Sequence, residues 1–214
     1  MNDPQGHNKN GPGGLSRRQF LKGSGAAAAA TALSTAPLPE LASAQEAKAG
    51  TTGMGPAAVR IQLTVNGQKM TTNVEPRVTL LDALRNYLDV TGCKRVCDRG
   101  SCGACTVLIE GKPIYSCTTL ALEAQGKTIK TAEALVSGGK LDAVPAAFAR
   151  YDAQQCGFCT PGFVVAMRAA YDKNPKATPA EIEEGLSGNI CRCGTYQQMR
   201  DAIAALCKTN GKGG

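Results

Sequence analysis

Four cysteines fall at a spacing that suits an iron-sulfur centre: Cys97-x4-Cys102-x2-Cys105, then Cys117 after eleven intervening residues. This is the plant-type [2Fe-2S] ligand pattern, in which three thiolates from one tight loop and one from beyond it share two irons. Gly100 and Gly103 lie between these ligands. Glycine there supplies positive-φ conformations and room for backbone N–H groups to approach the cluster where a Cβ would interfere. A second set, Cys156-x2-Cys159 and Cys191-x-Cys193, is two pairs separated by some thirty residues. Thiolate tetrahedra serve zinc as readily as iron, so on spacing alone both metals remain open for this set. Cys93 and Cys207 belong to neither set and read as buried structural thiols.

The rest of the composition narrows the chemistry. The only histidine among 214 residues is His7, near the amino terminus. A folded part without imidazole excludes histidine-ligated zinc, histidine-ligated haem, a Rieske centre and any Ser-His or Cys-His nucleophile. No catalytic residue is expected on this chain. The hydrophobic share is 43% and the charged share 19%, as in a globular protein. No apolar run reaches the roughly 18 residues of a membrane span, so no transmembrane segment is expected.

The amino-terminal residues read as an address. Ser16-Arg17-Arg18-Gln19-Phe20-Leu21-Lys22 precedes an alanine-rich stretch over 23–33 and an Ala42-Ser43-Ala44 cleavage site, a pattern that resembles a twin-arginine export signal. Residues 1–44 are therefore expected to be removed and the mature chain to be periplasmic, exported folded. Cleavage leaves 20 basic and 15 acidic residues, a balance of +5. Two oxidised four-thiolate clusters at about −2 each would bring this to about +1. The basic residues are scattered among acids, which predicts no nucleic-acid partner.

Positioning the cysteines requires particular elements. Residues 45–58 read as a linker. Val59, Ile61, Leu63 and Val65 alternate with polar residues, Asn66-Gly67 supplies a tight turn, and 68–74 returns, which predicts a β-hairpin. From Thr79 an amphipathic helix carries Leu80, Leu81, Leu84 and Leu88 on one face. Strands are expected over 106–109 and 114–116 around a Glu110-Gly111-Lys112-Pro113 turn, with Cys117 on the second, and a last strand over 128–130. This makes an α+β domain over 59–136. The period then changes: a helix over 143–152, an N-cap at Thr160 with Pro161 at N1, and capping boxes at Thr178-Glu181 and Thr195-Gln198 predict an all-α domain of about four helices over 137–208. Residues 209–214 are expected to be a disordered tail. So small a helical domain calls for a metal staple.

Three longer motifs carry a family resemblance: Gly103-Ala104-Cys105-Thr106-Val107, Gln155-Cys156-Gly157-Phe158-Cys159-Thr160-Pro161-Gly162, and Ser187-Gly188-Asn189-Ile190-Cys191-Arg192-Cys193-Gly194. In this order they resemble the iron-sulfur subunit of the molybdenum hydroxylases, the xanthine and aldehyde oxidoreductase family. With the export signal, the chain is most similar to the small subunits of that family's periplasmic aldehyde oxidoreductases. The resemblance implies a β-grasp ferredoxin domain holding one [2Fe-2S] cluster, followed by a four-helix-bundle domain holding the other, and it decides iron for the second set. It further implies that Gln155 and Cys193 contact a molybdopterin cofactor on a large partner subunit. The second cluster would then be the one nearer the pterin, and the first would face an acceptor, an FAD-binding or a cytochrome c subunit. The implied function is electron transfer during oxidation of an aldehyde or N-heterocycle. Two other readings are a free periplasmic ferredoxin-like carrier, whose mark would be a docking face of one charge sign, and a zinc-stapled binding module. One local departure stands out: Val96 precedes the first ligand where many relatives have glycine.

Overall fold

A computed structural model of the chain describes residues 55–209. The expected signal over 1–44, most of the linker and all but the first residue of the expected tail lie outside them.

Strands β1 (Val59–Val65) and β2 (Gln68–Val74) pair antiparallel, with Leu63 opposite Met70. Asn66 (φ 51°) and Gly67 (φ 81°) take the two positive-φ positions of the turn that the Asn-Gly pair predicted. Ile61, Leu63 and Val65 face inward and are buried, while Arg60 and Gln62 are exposed, as the alternation requires. Strands β3 (Thr106–Ile109), β4 (Lys112–Tyr115) and β5 (Thr128–Lys130) complete a mixed sheet in the order β2-β1-β5-β3-β4. β5 runs parallel to β1 and antiparallel to β3. Crossing the sheet is a short helical segment, α1 (Leu80–Asp82), capped by the Thr79 hydroxyl, which accepts from the Asp82 amide.

Two expectations in this domain are corrected. The helix from Thr79 is not one regular α-helix, because after one turn it widens into a π-helix over Ala83–Tyr87. The Leu88 amide bonds five residues back to the Ala83 carbonyl, and the Val90 amide reaches the Leu84 carbonyl. The apolar face survives, with Leu80, Leu81, Ala83 and Leu84 fully buried. The second hairpin is also tighter than expected. Glu110 (φ 50°) and Gly111 (φ 76°) alone make its turn, so Lys112 and Pro113 pair with Ile109 and Leu108. β4 is an edge strand, where a proline is tolerated. It ends at Tyr115, and Cys117 therefore lies in a 3₁₀ turn over Ser116–Thr118 rather than on the strand.

A two-stranded ribbon that sequence reasoning missed, β6 (Val136–Ser137) and β7 (Lys140–Leu141), lies between the sheet and the helices. The adjacent Gly138-Gly139, both at positive φ, was its available signal. Four helices follow: α2 (Ala143–Arg150), α3 (Thr160–Lys173), α4 (Pro179–Gly185) and α5 (Tyr196–Lys208). Val144, Phe148, Phe163, Met167, Tyr171, Ile182, Met199 and Ile203 form their shared core. The Thr178-Glu181 capping box forms as expected.

α3 is buried on almost every side, because it packs on two layers at once. One face lies in the helical core, while Val165 and Ala169 on the other meet Leu108 of β3. All four residues of β3 are buried for the same reason, with Val107 and Ile109 turned into the first core and Leu108 toward α3. The fold is α+β, with a ferredoxin-type sheet and a helical bundle sharing this seam.

Candidate metal centres

The first cysteine set is built on the loop before β3. Asp98 (φ 53°), Gly100 (φ 72°) and Gly103 (φ 69°) curl the backbone between the three loop cysteines. The Gly100 amide donates to Cys117 Sγ at 3.2 Å, and the Ser101 amide donates to Cys97 Sγ at 3.3 Å. Amides aimed at sulfur stabilise thiolates, the form that binds iron. The Cys97 thiol is accordingly lowered to about 6, first by the Arg99 backbone N–H and further by the Cys102 thiol beside it. Burial raises Cys117 to about 11, against the Gly100 amide. The neighbouring Cys105 thiol raises Cys117 further. Cys105 and Cys117 are buried, while Cys97 and Cys102 are half-buried.

The second set lies at the start of α3 and just before α5. Here the Cys156 thiol interacts with Cys193, and the Cys159 thiol with Cys191. The Phe158 backbone N–H, followed by the Cys193 thiol, lowers Cys156, and burial raises Cys159 to about 12. At Cys191 burial is outweighed by the Thr195 hydroxyl and backbone, and the thiol falls to about 7. Cys156 and Cys193 are exposed, Cys159 is half-buried and Cys191 is buried.

In each set the thiols lie near enough to shift one another's ionisation. Among the described residues no three Cys, His, Asp or Glu side chains converge on one ion-sized position. All ten cysteines are free thiols.

Two capping expectations fail here for a reason tied to the cysteines. Helix α3 begins with Cys159 as its N-cap, already in α conformation, so Thr160 is the first helical residue and its hydroxyl is buried without a hydrogen-bond partner. At α5, Thr195 is the N-cap residue but makes no side-chain cap. Its hydroxyl lies 3.2 Å from Cys191 Sγ instead. The Cys191 amide meanwhile donates to Tyr196 Oη at 2.8 Å. Thr195 and Tyr196 are therefore site residues that sequence reasoning read only as helix signals.

The two cysteine loops touch. The Ile190 amide donates to the Cys102 carbonyl at 3.0 Å, Tyr115 Oη donates to the Gly188 carbonyl at 3.0 Å, and Asn189 Nδ2 donates to the Gly103 carbonyl at 3.0 Å. Gly103 is thus needed for more than its own turn. A Cβ there would lie 2.5 Å from Asn189 Nδ2 and 2.7 Å from the Gly188 carbonyl oxygen. Gly103 has the positive φ expected of it and also lets the other domain approach closely.

Gln155 is exposed beside Cys156. Around the second set, Phe158 (51%), Ile190 (52%) and Tyr196 (39%) are exposed apolar side chains. Cys93 is buried in the first core and its thiol is pushed up to about 12, chiefly by burial and then by Glu133. Arg85 pins the loop around it, donating to the Thr91 and Cys93 carbonyls. Cys207 is half-buried and donates to the Ala177 carbonyl at 3.3 Å, with Tyr171 Oη at 3.4 Å. Val96, before the first ligand position, is 56% exposed.

Comparison with known proteins agrees with this architecture. Residues 63–134 match the 2Fe-2S iron-sulfur cluster binding domain family and residues 131–204 the [2Fe-2S] binding domain family. Residues 14–34 match the twin-arginine translocation pathway signal sequence. The chain is 46% identical over 145 residues to the nicotine 6-hydroxylase small subunit of Paenarthrobacter nicotinovorans, covering 68% of this chain and 87% of that one. It is 39% identical over 204 residues to the aldehyde oxidoreductase iron-sulfur-binding subunit PaoA of Escherichia coli strain K12, covering 88% and 86%. Among solved structures, quinoline 2-oxidoreductase from Pseudomonas putida 86 superposes with a TM-score of 0.68 at 44% identity, covering 72% of this chain and 96% of the matched one. The Desulfovibrio gigas aldehyde oxidoreductase superposes at 0.65 and 32% identity, covering 71% of this chain and 17% of a much longer one. With two [2Fe-2S]-binding domains in this order, the chain belongs to the iron-sulfur small-subunit family of the molybdenum hydroxylases and is the electron-transfer subunit of a multi-subunit oxidoreductase.

Proposed function

We propose that Cys97, Cys102, Cys105 and Cys117 hold one [2Fe-2S] cluster and that Cys156, Cys159, Cys191 and Cys193 hold the other. The observation that carries this is the set of donors gathered on the sulfurs, the Gly100 amide on Cys117, the Ser101 amide on Cys97 and the Thr195 hydroxyl beside Cys191, with the loops joined by the Ile190 to Cys102 hydrogen bond. When bound, the clusters supply one-electron redox centres. The chain's own contribution is to present thiolates, aim the Gly100 and Ser101 amides at sulfur, and hold the two ligand loops in contact.

The second set faces a large molybdopterin-binding subunit, with Gln155 and Cys193 at the pterin. Exposed Phe158, Ile190 and Tyr196 around open thiols support this reading, since such a rim needs a partner to cover it. Electrons leave through the first set to an FAD-binding or cytochrome c acceptor subunit. The relatives' names, covering nicotine and aldehyde oxidation, support an N-heterocycle or aldehyde as the substrate class of the complex. The twin-arginine match supports folded export to the periplasm, cluster insertion first, because unloaded thiols would be open to disulfide formation there. We place the domain boundary between 136 and 137, the mature start near Gln45, and the linker over 45–58.

Iron and sulfide analysis of the native complex should give four of each per chain, with two distinct EPR signals after dithionite reduction and about one molybdenum per two clusters. Stoichiometric zinc or a single signal would overturn the ligand reading. A native monomer without molybdenum would favour the free carrier. Replacing Arg17 and Arg18 by Lys should leave the loaded precursor in the cytoplasm; export of that variant, cleaved after Ala44, would refute the route.

A further inference from the structure

We propose that Asn189, a residue of the helical domain, is a positioning residue for the first cluster. The proposal rests on the ligand reading above. By chain position Asn189 belongs to the second set, two residues before Cys191. By geometry it acts in the first. Its side chain is buried, with 7% of the residue exposed. Its Nδ2 donates to the Gly103 carbonyl at 3.0 Å and lies 3.4 Å from Thr106 Oγ1.

Gly103 sits between Cys102 and Cys105, and its carbonyl accepts three hydrogen bonds. Two are local, from the Thr106 amide at 3.1 Å and the Thr106 hydroxyl at 2.6 Å. The third comes from Asn189, across the domain seam. A trans peptide is planar, so fixing this carbonyl fixes the N–H of Ala104 in the opposite direction. Ala104 is buried and directly precedes Cys105. Hydrogen bonds offered around a cluster set its potential, and loosening the peptide plane loosens that contribution. Gly103 itself is in a positive-φ conformation with no Cβ to restrict it, so the plane is held by these three donors together with Gly162 packed against the carbonyl. Through Asn189, the second domain completes the loop of the first.

The test uses the native complex carrying Asn189→Ala, Thr106→Val or both. The two EPR signals are assigned by which of them Cys102→Ser and Cys191→Ser remove. Asn189→Ala should broaden or shift the first-cluster signal and lower its reduced-to-oxidised ratio at a fixed ambient potential at least threefold, about 28 mV for a one-electron couple at about 59 mV per decade. The second-cluster signal should keep its position. Thr106→Val is nearly isosteric and removes the shared hydroxyl from the other domain; it should move the same signal in the same direction, with Thr106→Ser restoring it. The double variant should do little more than the larger single. A residue that merely supports its own domain would disturb the second signal and leave the first alone. That result, or no change in either signal, overturns the proposal while leaving the ligand reading intact. Fewer than two signals in the unsubstituted complex would instead overturn the ligand reading, and this proposal with it.

Discussion

The two cysteine sets use the same donors and differ in who covers them. The first draws three cysteines from one short loop and the fourth from the turn after β4, and it tucks Cys105 and Cys117 into the sheet's own core. The second joins the starts of two helices and leaves Cys156 and Cys193 in the open beside Phe158, Ile190 and Tyr196. The first set is covered partly by its own core and partly by Asn189 and Ile190 of the helical domain. A site left open toward solvent is finished by something else. This contrast is why the proposed partner subunit is assigned to the second set.

The largest effect expected from this contrast is on cluster occupancy. Cys193→Ser should abolish the second-cluster EPR signal and turnover of the complex, with the first signal retained. Cys207→Ser should leave both signals; losing one would mean that the ligand sets are wrongly drawn. A smaller effect should appear at the seam. A Cβ on Gly162 would run into the Gly103 carbonyl and the Ala104 backbone. Gly162→Ala should therefore cost about 1–3 kcal/mol of stability in denaturant unfolding, as overpacking does. An unchanged midpoint would show that the two domains are not pressed together at this point.

Thiol labelling of the metal-free chain sharpens the comparison further. Cys156 and Cys193 should alkylate first and Cys105 and Cys117 slowly. Cys93, buried and held protonated up to about pH 12, should not react near neutral pH until the chain unfolds. Equal labelling of the two sets would erase the contrast in covering. The smallest effect belongs to Thr178→Ala, which removes a capping box distant in sequence from either set. It should cost about 1 kcal/mol and leave both EPR signals as they were.

Much of this was legible in the residues because the information is local. The Cys97 to Cys105 spacing lies within a single loop, and the Asn66-Gly67 turn and the alternation of β1 depend on near neighbours alone. Thr178 and Glu181 cap α4 as read, since nothing nearby competes for them. Thr195 and Thr160 follow the same local grammar but do not cap. One hydroxyl is drawn to Cys191 Sγ and the other helix begins a residue early at Cys159. The rule failed where a ligand position competes for the same atoms.

What the sequence by itself determined, then, is which thiols are available and how the nearest of them are spaced, since backbone conformation and hydrophobic period act over a few residues. Only the tertiary structure decided that the Gly100 amide reaches Cys117, that the Thr195 hydroxyl turns to Cys191, and that the Asn189 side chain crosses 86 residues of chain to reach Gly103. The β3–β4 hairpin brings Cys117 back to the first loop, and the seam between α3 and β3 brings Asn189 to Gly103. A contact of that kind gains its energy from two surfaces that meet only after both have folded, and no local pattern in either segment records the other's position.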